Sequence, residues 1–321
     1  MTRISILITY YNERELLTEC LQSLLANTEL PDEILVYDDC SPFPAADYVP
    51  DHPLIRILRG ERNQGVIYAR NVLIEEATGD YLHFHDADDL FMPTWVERVR
   101  AALATTPDLV ITLGDYRYED GTQEPLRHMH DHLDLLRRDF KAFSVLMNLN
   151  TICVAFRRDL AQRIGGVRTD GIAGSWDFYF GAQLAYAAQS AVIVEERLFL
   201  IQERRGSLSI GEGRDTRPRI VLGSVQAFIK LAPLYPHLGN ELAQRIAAAS
   251  SRLYTIGMHL DAAAGFAAAR RIGRPSYAHL GQPWRTIART LGPITAHRLF
   301  ALYAHPALVK ARARLRGAAQ R

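Results

Sequence analysis

Two periods of apolar spacing alternate along the first third of the chain. Ile4 to Thr9 is a nearly unbroken apolar run, the mark of a buried strand, and Tyr10-Tyr11-Asn12 ends it. From Glu13 to Ala26 the apolar residues fall at 16, 17, 20, 21, 24 and 25, which is the helical period. Ile34 to Tyr37 reads as a second strand, closed by Asp38-Asp39-Cys40-Ser41-Pro42, and Ile55 to Leu58 as a third. Val66 to Ala77 predicts a second helix with Thr78-Gly79 as its stop. Tyr81 to His85 predicts a fourth strand, Thr94 to Thr105 a third helix, and Leu109 to Leu113 a fifth strand. Strands alternating with helices imply an α/β fold whose central sheet is mostly parallel and covered on both faces.

From about Asp115 the periods dissolve. Asp115 to Ala142 is polar and rich in histidine, with Gly121 as a turn signal. Thr151 to Phe156 is strand-like, Trp176 to Ala188 reads as a helix opening near Asp177, and Val192 to Ile201 carries strand signals. Beyond Asp215 the chain is rich in alanine and leucine and reads as helical, punctuated at Gly273–Pro275 and Gly281–Pro283. The expected division is an α/β domain over 1–212, with halves of about 1–114 and 115–212, and a helical region over 213–321.

Ligands of such sheets bind beyond the carboxyl ends of the strands. The polar clusters Thr9–Glu13, Asp38–Ser41 and Asp86–Asp89 each follow a strand, so they are expected to converge on one rim. Asp86, Asp88 and Asp89 are costly together unless a cation meets them. A hard divalent metal takes oxygen ligands and leaves positions for substrate phosphates. The competing reading is a helix N-cap or a solvated turn; the buried strand just before the cluster favours the functional one. Asp39 can accept hydrogen bonds from a base or ribose, or Asp38-Asp39 can simply start a turn. Asn63-Gln64-Gly65 opens the second helix, where Gly65 permits a tight turn or close backbone approach, and Arg70 could reach a phosphate.

Bulk properties narrow the class. The chain has 321 residues, 48% hydrophobic and 23% charged, and a formal net charge of +1. That balance gives no field directed at nucleic acid. Three scattered cysteines fit a reducing compartment. No apolar run approaches the roughly 18 residues that span a bilayer. The expected location is the cytoplasm, with the inner face of the cell membrane as a peripheral option. That option rests on the tail: from Ala262 onward there are eleven Arg or Lys and no Asp or Glu. Aromatic and aliphatic residues from Trp284 to Tyr303 lie among them, as in helices that rest on anionic membranes. A helical cap with a solvated basic face is the competing reading. His128, His130 and His132 would share a face on a strand and could hold zinc, but Asp131 and Asp134 favour a solvated loop.

Taken together, Ile4-Ser-Ile-Leu-Ile-Thr-Tyr-Tyr-Asn-Glu13, Val36-Tyr-Asp-Asp-Cys-Ser41, Asn63-Gln-Gly65 with Ala69-Arg-Asn71, Ala77-Thr-Gly-Asp80, and His85-Asp-Ala-Asp-Asp89 with Pro93 resemble the family 2 glycosyltransferases in order and spacing. The resemblance covers about residues 1–210. It implies the Rossmann-like GT-A fold, a nucleotide-diphospho-sugar donor, Mn²⁺ or Mg²⁺, and inversion at the anomeric carbon. A UDP-sugar is the expected donor, ahead of a dTDP- or GDP-sugar. A hexose or N-acetylhexosamine would pass to a saccharide or lipid-linked saccharide of a surface polysaccharide or lipopolysaccharide. By the same resemblance Thr9, Tyr11 and Asp39 would meet the nucleobase end, with Glu13, Asn63 and Gly65 in the donor site. Arg70 would meet the phosphates, and Asp86 and Asp88 the ribose or metal. Asp88 or Asp89 would ligate the ion. The segment Arg204-Arg205-Gly206-Ser207-Leu208-Ser209 resembles one that closes over the donor, with Arg204 or Arg205 meeting the diphosphate. Inversion needs a base for the acceptor hydroxyl. Asp177 stands where the family places it, with Asp170 as the fallback and helix capping as the alternative role. Two departures are Cys40, where Gly or Asn is usual, and His85, where an apolar residue often precedes the acidic cluster. The rival readings are a sugar-phosphate nucleotidyltransferase and a non-catalytic nucleotide-sugar-binding or scaffold protein. The first is disfavoured because Thr9–Glu13 is neither glycine-rich nor basic.

Overall fold

The computed structural model describes residues 2–204 and 218–304. It divides into two compact units, one of Met1–Gly171 with Ser175–Arg214, the other of Ile172–Gly174 with Asp215–Arg321.

The first unit is built on a nine-stranded mixed sheet. In chain order its elements are β1 (Ile4–Tyr10), α1 (Glu15–Leu25), β2 (Glu33–Asp38), β3 (Ile55–Arg59), α2 (Val66–Glu76), β4 (Tyr81–Asp86), β5 (Leu90–Phe91), α3 (Trp95–Ala102), β6 (Leu109–Tyr118), β7 (Gln123–Pro125), α4 (Arg127–His130), α5 (Leu133–Arg138), α6 (Phe140–Phe143), β8 (Val154–Arg157), α7 (Arg158–Arg163), α8 (Trp176–Ala187) and β9 (Ala191–Glu203). The strands lie in the order β3-β2-β1-β4-β8-β6-β9-β5, with β7 on β6. The first four are parallel. β8 then runs against both β4 and β6, while β9 is parallel to β6.

Residues of a strand alternate between faces. Leu7, Leu35, Phe84 and Phe156 join one core with Leu73 and Phe180. Ile6, Ile8 and Val36 join the other with Leu17, Leu21 and Trp95. A strand buried on both faces reads as a continuous apolar run, which is why β1 was plain in the sequence. Gly79 fits the edge of this layer because a Cβ there would lie 2.5 Å from the Ser5 hydroxyl.

The strand expected at Thr151–Phe156 begins with a 3₁₀ turn over Thr151–Cys153 and is regular only from Val154. The helix expected over Thr94–Thr105 is α3 plus a 3₁₀ turn at Leu103–Thr105. The polar stretch after Asp115 holds β7 and three short helices.

The second unit contains α9 (Pro218–Leu231), α10 (Gly239–Thr255), α11 (His259–Ile272), α12 (Trp284–Thr290) and α13 (Pro293–Ala304). They share a core of Val221, Val225, Ile246, Leu253, Phe266 and Tyr277. No helix of the described residues is long and apolar enough to cross a membrane.

Candidate active site

The sheet register brings the strand ends together. Thr9 lies beside Tyr37 of β2 and Asp86 of β4, and Tyr10 beside Asp38. After β1 the backbone turns through left-handed conformations at Asn12 (φ 74) and Arg14 (φ 52). Between them, the Glu13 carboxylate accepts the Tyr11 backbone N–H at 2.6 Å. Burial raises the pKa of Glu13, and the charges of Asp88 and Asp86 raise it further. Glu13 therefore belongs to the acidic cluster, and the Tyr11 side chain is exposed beside it.

The two aspartates at the end of β2 divide the work. Asp38 is buried, accepts the N–H groups of Ser41 (2.7 Å) and Ala45 (2.9 Å), and pairs with Arg59. It holds the turn, as the turn-starter reading requires. Asp39 accepts the N–H groups of Gln64 (2.8 Å) and Gly65 (2.7 Å), so it fastens the Asn63–Gly65 loop to the strand end. A carboxylate has about four acceptor positions, and these bonds leave some for a ligand. Gly65 has φ 86 and nothing within 4 Å of a would-be Cβ, so conformation rather than close approach explains it. Asn63 is exposed beside it. Cys40, the departure noted above, sits at φ 58, a conformation that Gly or Asn adopts at lower cost.

Arg70 was expected to reach a phosphate, but its guanidinium is buried and already bonded. It donates to Asp86 at 2.6 Å and to the Thr151 hydroxyl at 2.9 Å. The rings of Phe84 and Trp176 lie 4.6 and 4.5 Å from it. Burial lowers its pKa, opposed by the charges of Asp86 and Asp177. Arg70 thus links the acidic turn to the start of α8. Thr151 and Phe84 carried no sequence signal for this role, and Trp176 was read only as the start of a helix.

At the acidic turn the three aspartates differ. The side chains of Asp86 and Asp88 are 47% and 31% exposed, whereas Asp89 is buried. Asp89 accepts the Gln202 N–H at 2.9 Å, and the Gln202 side chain donates to the Asp88 carbonyl at 2.9 Å. The turn is thereby tied to β9. Arg204 closes on Asp88 at 2.6 Å. Burial and the Asp86 charge push the Asp88 carboxyl up; burial and both neighbours push Asp89 up further. Among the described residues no three His, Cys, Asp or Glu side chains form a metal shell. The donor set still suits Mg²⁺ or Mn²⁺, which need only one or two carboxylates when substrate phosphates supply the rest. Asp86 and Asp88 have the exposure for it, and the mutual repulsion with Glu13 is what a cation would relieve.

His83 and His85 lie beneath this turn. His83 Nδ1 is 3.1 Å from the Val154 carbonyl and Nε2 is 3.2 Å from His85 Nδ1. A carbonyl only accepts, so His83 Nδ1–H donates to it and His83 Nε2 accepts a hydrogen bond from His85 Nδ1–H; the tautomers follow from the network. His85 stacks on Phe91 at 3.6 Å. Burial lowers the His83 pKa to about 3 and that of His85 well below its usual value. His85 is thus a flat neutral ring in an apolar position.

Asp177 is the second residue of α8 and half-buried. The N-cap position is Ser175, at φ 55, and no side chain caps the helix. Capping therefore does not account for Asp177, whose charge acts on Arg70. The fallback Asp170 is engaged by the Tyr179 hydroxyl at 2.9 Å and Arg168 at 3.2 Å. His128 and His130 are in α4 and His132 precedes α5, so the strand geometry needed for zinc is absent. Arg205 lies outside the described residues.

Comparison with known proteins gives one family. Residues 5–165 match the profile "Glycosyl transferase family 2". The uncharacterized glycosyltransferase YwdF of Bacillus subtilis is 30% identical over 190 residues, 57% of this chain and 69% of the relative. Two further curated glycosyltransferases are matched over only 36% and 28% of their own length. Among solved structures, Staphylococcus aureus TarS 1–349 in complex with UDP-GlcNAc superposes with a TM-score of 0.63 at 16% identity, covering 92% of this chain and 90% of that one. The mannosyltransferase PcManGT of Pyrobaculum calidifontis, in complex with GDP-Man and Mn²⁺, gives 0.56 at 23% identity, covering 94% and 88%. At these identities the two structures show a shared GT-A fold.

Proposed function

The chain belongs to glycosyl transferase family 2, and from that premise we propose that it transfers a sugar, with inversion, from a nucleotide-diphospho-sugar to a hydroxyl of a saccharide or lipid-linked saccharide. The observation that carries this reading is the meeting of Asp39, Asp86, Asp88 and Arg204 at one sheet rim, joined through Arg70 to the start of α8. Thr9, the exposed Tyr11 ring and the remaining acceptor positions of Asp39 would receive the nucleoside. A divalent cation, held by Asp88 with Asp86, would neutralise charge on the departing diphosphate. Arg204 would turn from Asp88 to the same phosphates. Asp177 would take the proton of the acceptor hydroxyl as its oxygen attacks the anomeric carbon, and the bond to the diphosphate breaks on the opposite side. UDP is the favoured nucleotide. TarS was crystallised with UDP-GlcNAc and PcManGT with GDP-Man and Mn²⁺, so this architecture accepts more than one donor.

A screen of nucleotide-sugars with Mn²⁺ or Mg²⁺, reading release of nucleoside diphosphate, tests the reading. Slow metal-dependent release from one donor is expected. In the presence of acceptor, Asp177→Asn should lower kcat by about 10²–10⁴-fold with little change in donor KM. Unchanged turnover would remove Asp177 as the base. Donor binding without turnover under any acceptor would favour the scaffold reading, because Asp39, Arg70 and Asp89 all make bonds that hold the fold.

A further inference from the structure

We propose that the helical unit carries an anion site of its own, a cleft that receives a phosphate group. The end of α11, the loop after it, the end of α12 and the following turn line an open cleft of about 480 Å³. Arg270, Arg274 and Arg289 line it, with Tyr277, Leu291 and Gly292. None of the three arginines pairs with a carboxylate of the described residues; the ion pairs between described residues lie in the first unit. No Asp or Glu follows Asp261 in the sequence.

Scattered surface arginines are ordinary; here the fold gathers three. Arg270 Nη2 lies 3.2 Å from where a Cβ on Gly292 would stand, so the bare backbone at φ +94 makes room for the guanidinium. The Arg289 Nε donates to the Ser276 carbonyl at 3.2 Å, which fixes its side chain. The Arg274 N–H is held by Asn240 Oδ1 at 2.9 Å. Arg285, by contrast, spends its nitrogens on the carbonyls of Leu280 and Ala278 and does not line the cleft. Guanidinium forks match the oxygens of phosphate, and the cleft has room for a phosphate together with the group that bears it. The surroundings favour a lipid-borne one. Leu291, in the cleft wall, is 65% exposed, and Leu299 and Phe300 on α13 are 39% and 48% exposed. Cationic groups beside exposed apolar ones suit the boundary of head groups and acyl chains.

The test uses the full chain with phosphatidylcholine vesicles, with and without phosphatidylglycerol, and separately with inorganic phosphate or pyrophosphate followed by thermal shift. Three variants are compared: wild type, Arg270→Gln/Arg274→Gln/Arg289→Gln, and the same three positions changed to Lys. Wild type is expected to sediment with the anionic vesicles, and the Gln variant to lose on the order of a hundredfold in partition. The Lys variant should fall between, because it keeps charge but not the fork. Far-UV circular dichroism should match wild type in both substituted proteins, and because the vesicle and phosphate readouts need no donor turnover, failure of the transferase reading would leave this result standing. Binding of soluble phosphate alone, lost in the Gln variant, would keep the site and name a soluble ligand. Binding of either kind that is unchanged in the Gln variant, or no binding of any phosphate-bearing probe by wild type, would overturn it.

Discussion

Cys40 holds a left-handed backbone, which costs a residue with a Cβ about 1–2 kcal/mol, just where the chain leaves β2 for the Asp39-bound loop. The Cys40 thiol donates to the Glu61 carbonyl at 3.4 Å. Cys40→Gly removes the steric cost and adds about 0.5–1 kcal/mol of unfolded-state entropy. The variant is expected to match wild type or exceed it by up to about 1 kcal/mol in urea unfolding; a clear loss would mean that the thiol contact matters more than the strain. His83 makes the opposite kind of demand. Its folded pKa of about 3 lies below the ordinary 6.5 because burial disfavours the charged ring. The unfolded chain then binds the proton and the folded one does not, so stability is full above pH 6.5 and drains as pH falls toward 3. Between pH 7 and pH 5 this residue alone should remove about 2 kcal/mol. His83→Phe should be weaker at pH 7, because the Val154 carbonyl loses its donor. Its stability should also fall less between pH 7 and 5, and an equal slope would refute the assignment. From the sequence only His85 stood out, as a departure before the acidic cluster; the sheet's alternation places His83 and His85 against Trp95 and Phe91.

At the scale of elements, legibility followed burial. β1, β2 and β4 are covered on both faces and announced themselves as apolar runs. β5 has two residues, too few for a period to register, whereas β8 was read as strand-like over Thr151–Phe156 and is regular only from Val154; both are fixed by pairing with distant strands. The antiparallel insertion of β8 between β4 and β6 is a tertiary choice with no local signal. The site follows the same rule. Its residues were readable where they end a parallel strand, whereas their bonds to β9 and α8 were not. Asp89 shows the consequence, since its carboxylate joins the β4 turn to Gln202, more than a hundred residues on. Asp89→Ala leaves the Gln202 N–H without its partner and should cost about 1–3 kcal/mol. It should also free the Asp88 backbone from β9. The expected result is reduced stability together with a raised donor KM, read by thermal shift and by steady-state kinetics. A loss of turnover at full stability would instead make Asp89 a ligand of the reacting complex.

At the scale of the whole molecule, the sequence put a helical region at 213–321, whereas the second compact unit takes Asp215–Arg321 and three residues from elsewhere in the chain. Ile172–Gly174 also belong to it, although they fall between α7 and α8 in the chain. Three residues reading Ile-Ala-Gly have no compositional signature; their packing defines them. Ile172 is buried, and the Ala173 N–H donates to Gln226 Oε1 at 2.8 Å. Gly174 lies so near α9 that a Cβ on Gly223 would stand 2.3 Å from its carbonyl oxygen. Backbone against backbone has no flexible side chain to yield, so Gly223→Ala should cost about 1–3 kcal/mol. The same contacts make a clean cut impossible. A fragment ending at Arg214 keeps the sheet and every candidate catalytic residue, yet it strips Ile172–Gly174 of partners two residues before Trp176 and three before Asp177. Truncation tolerance depends on such buried backbone rather than on position in the chain. The fragment should therefore unfold at lower urea than the sheet-bearing unit of the full chain, by about 1–3 kcal/mol, with weakened turnover. Equal stability and equal turnover would mean that Ile172–Gly174 contribute nothing to holding the start of α8.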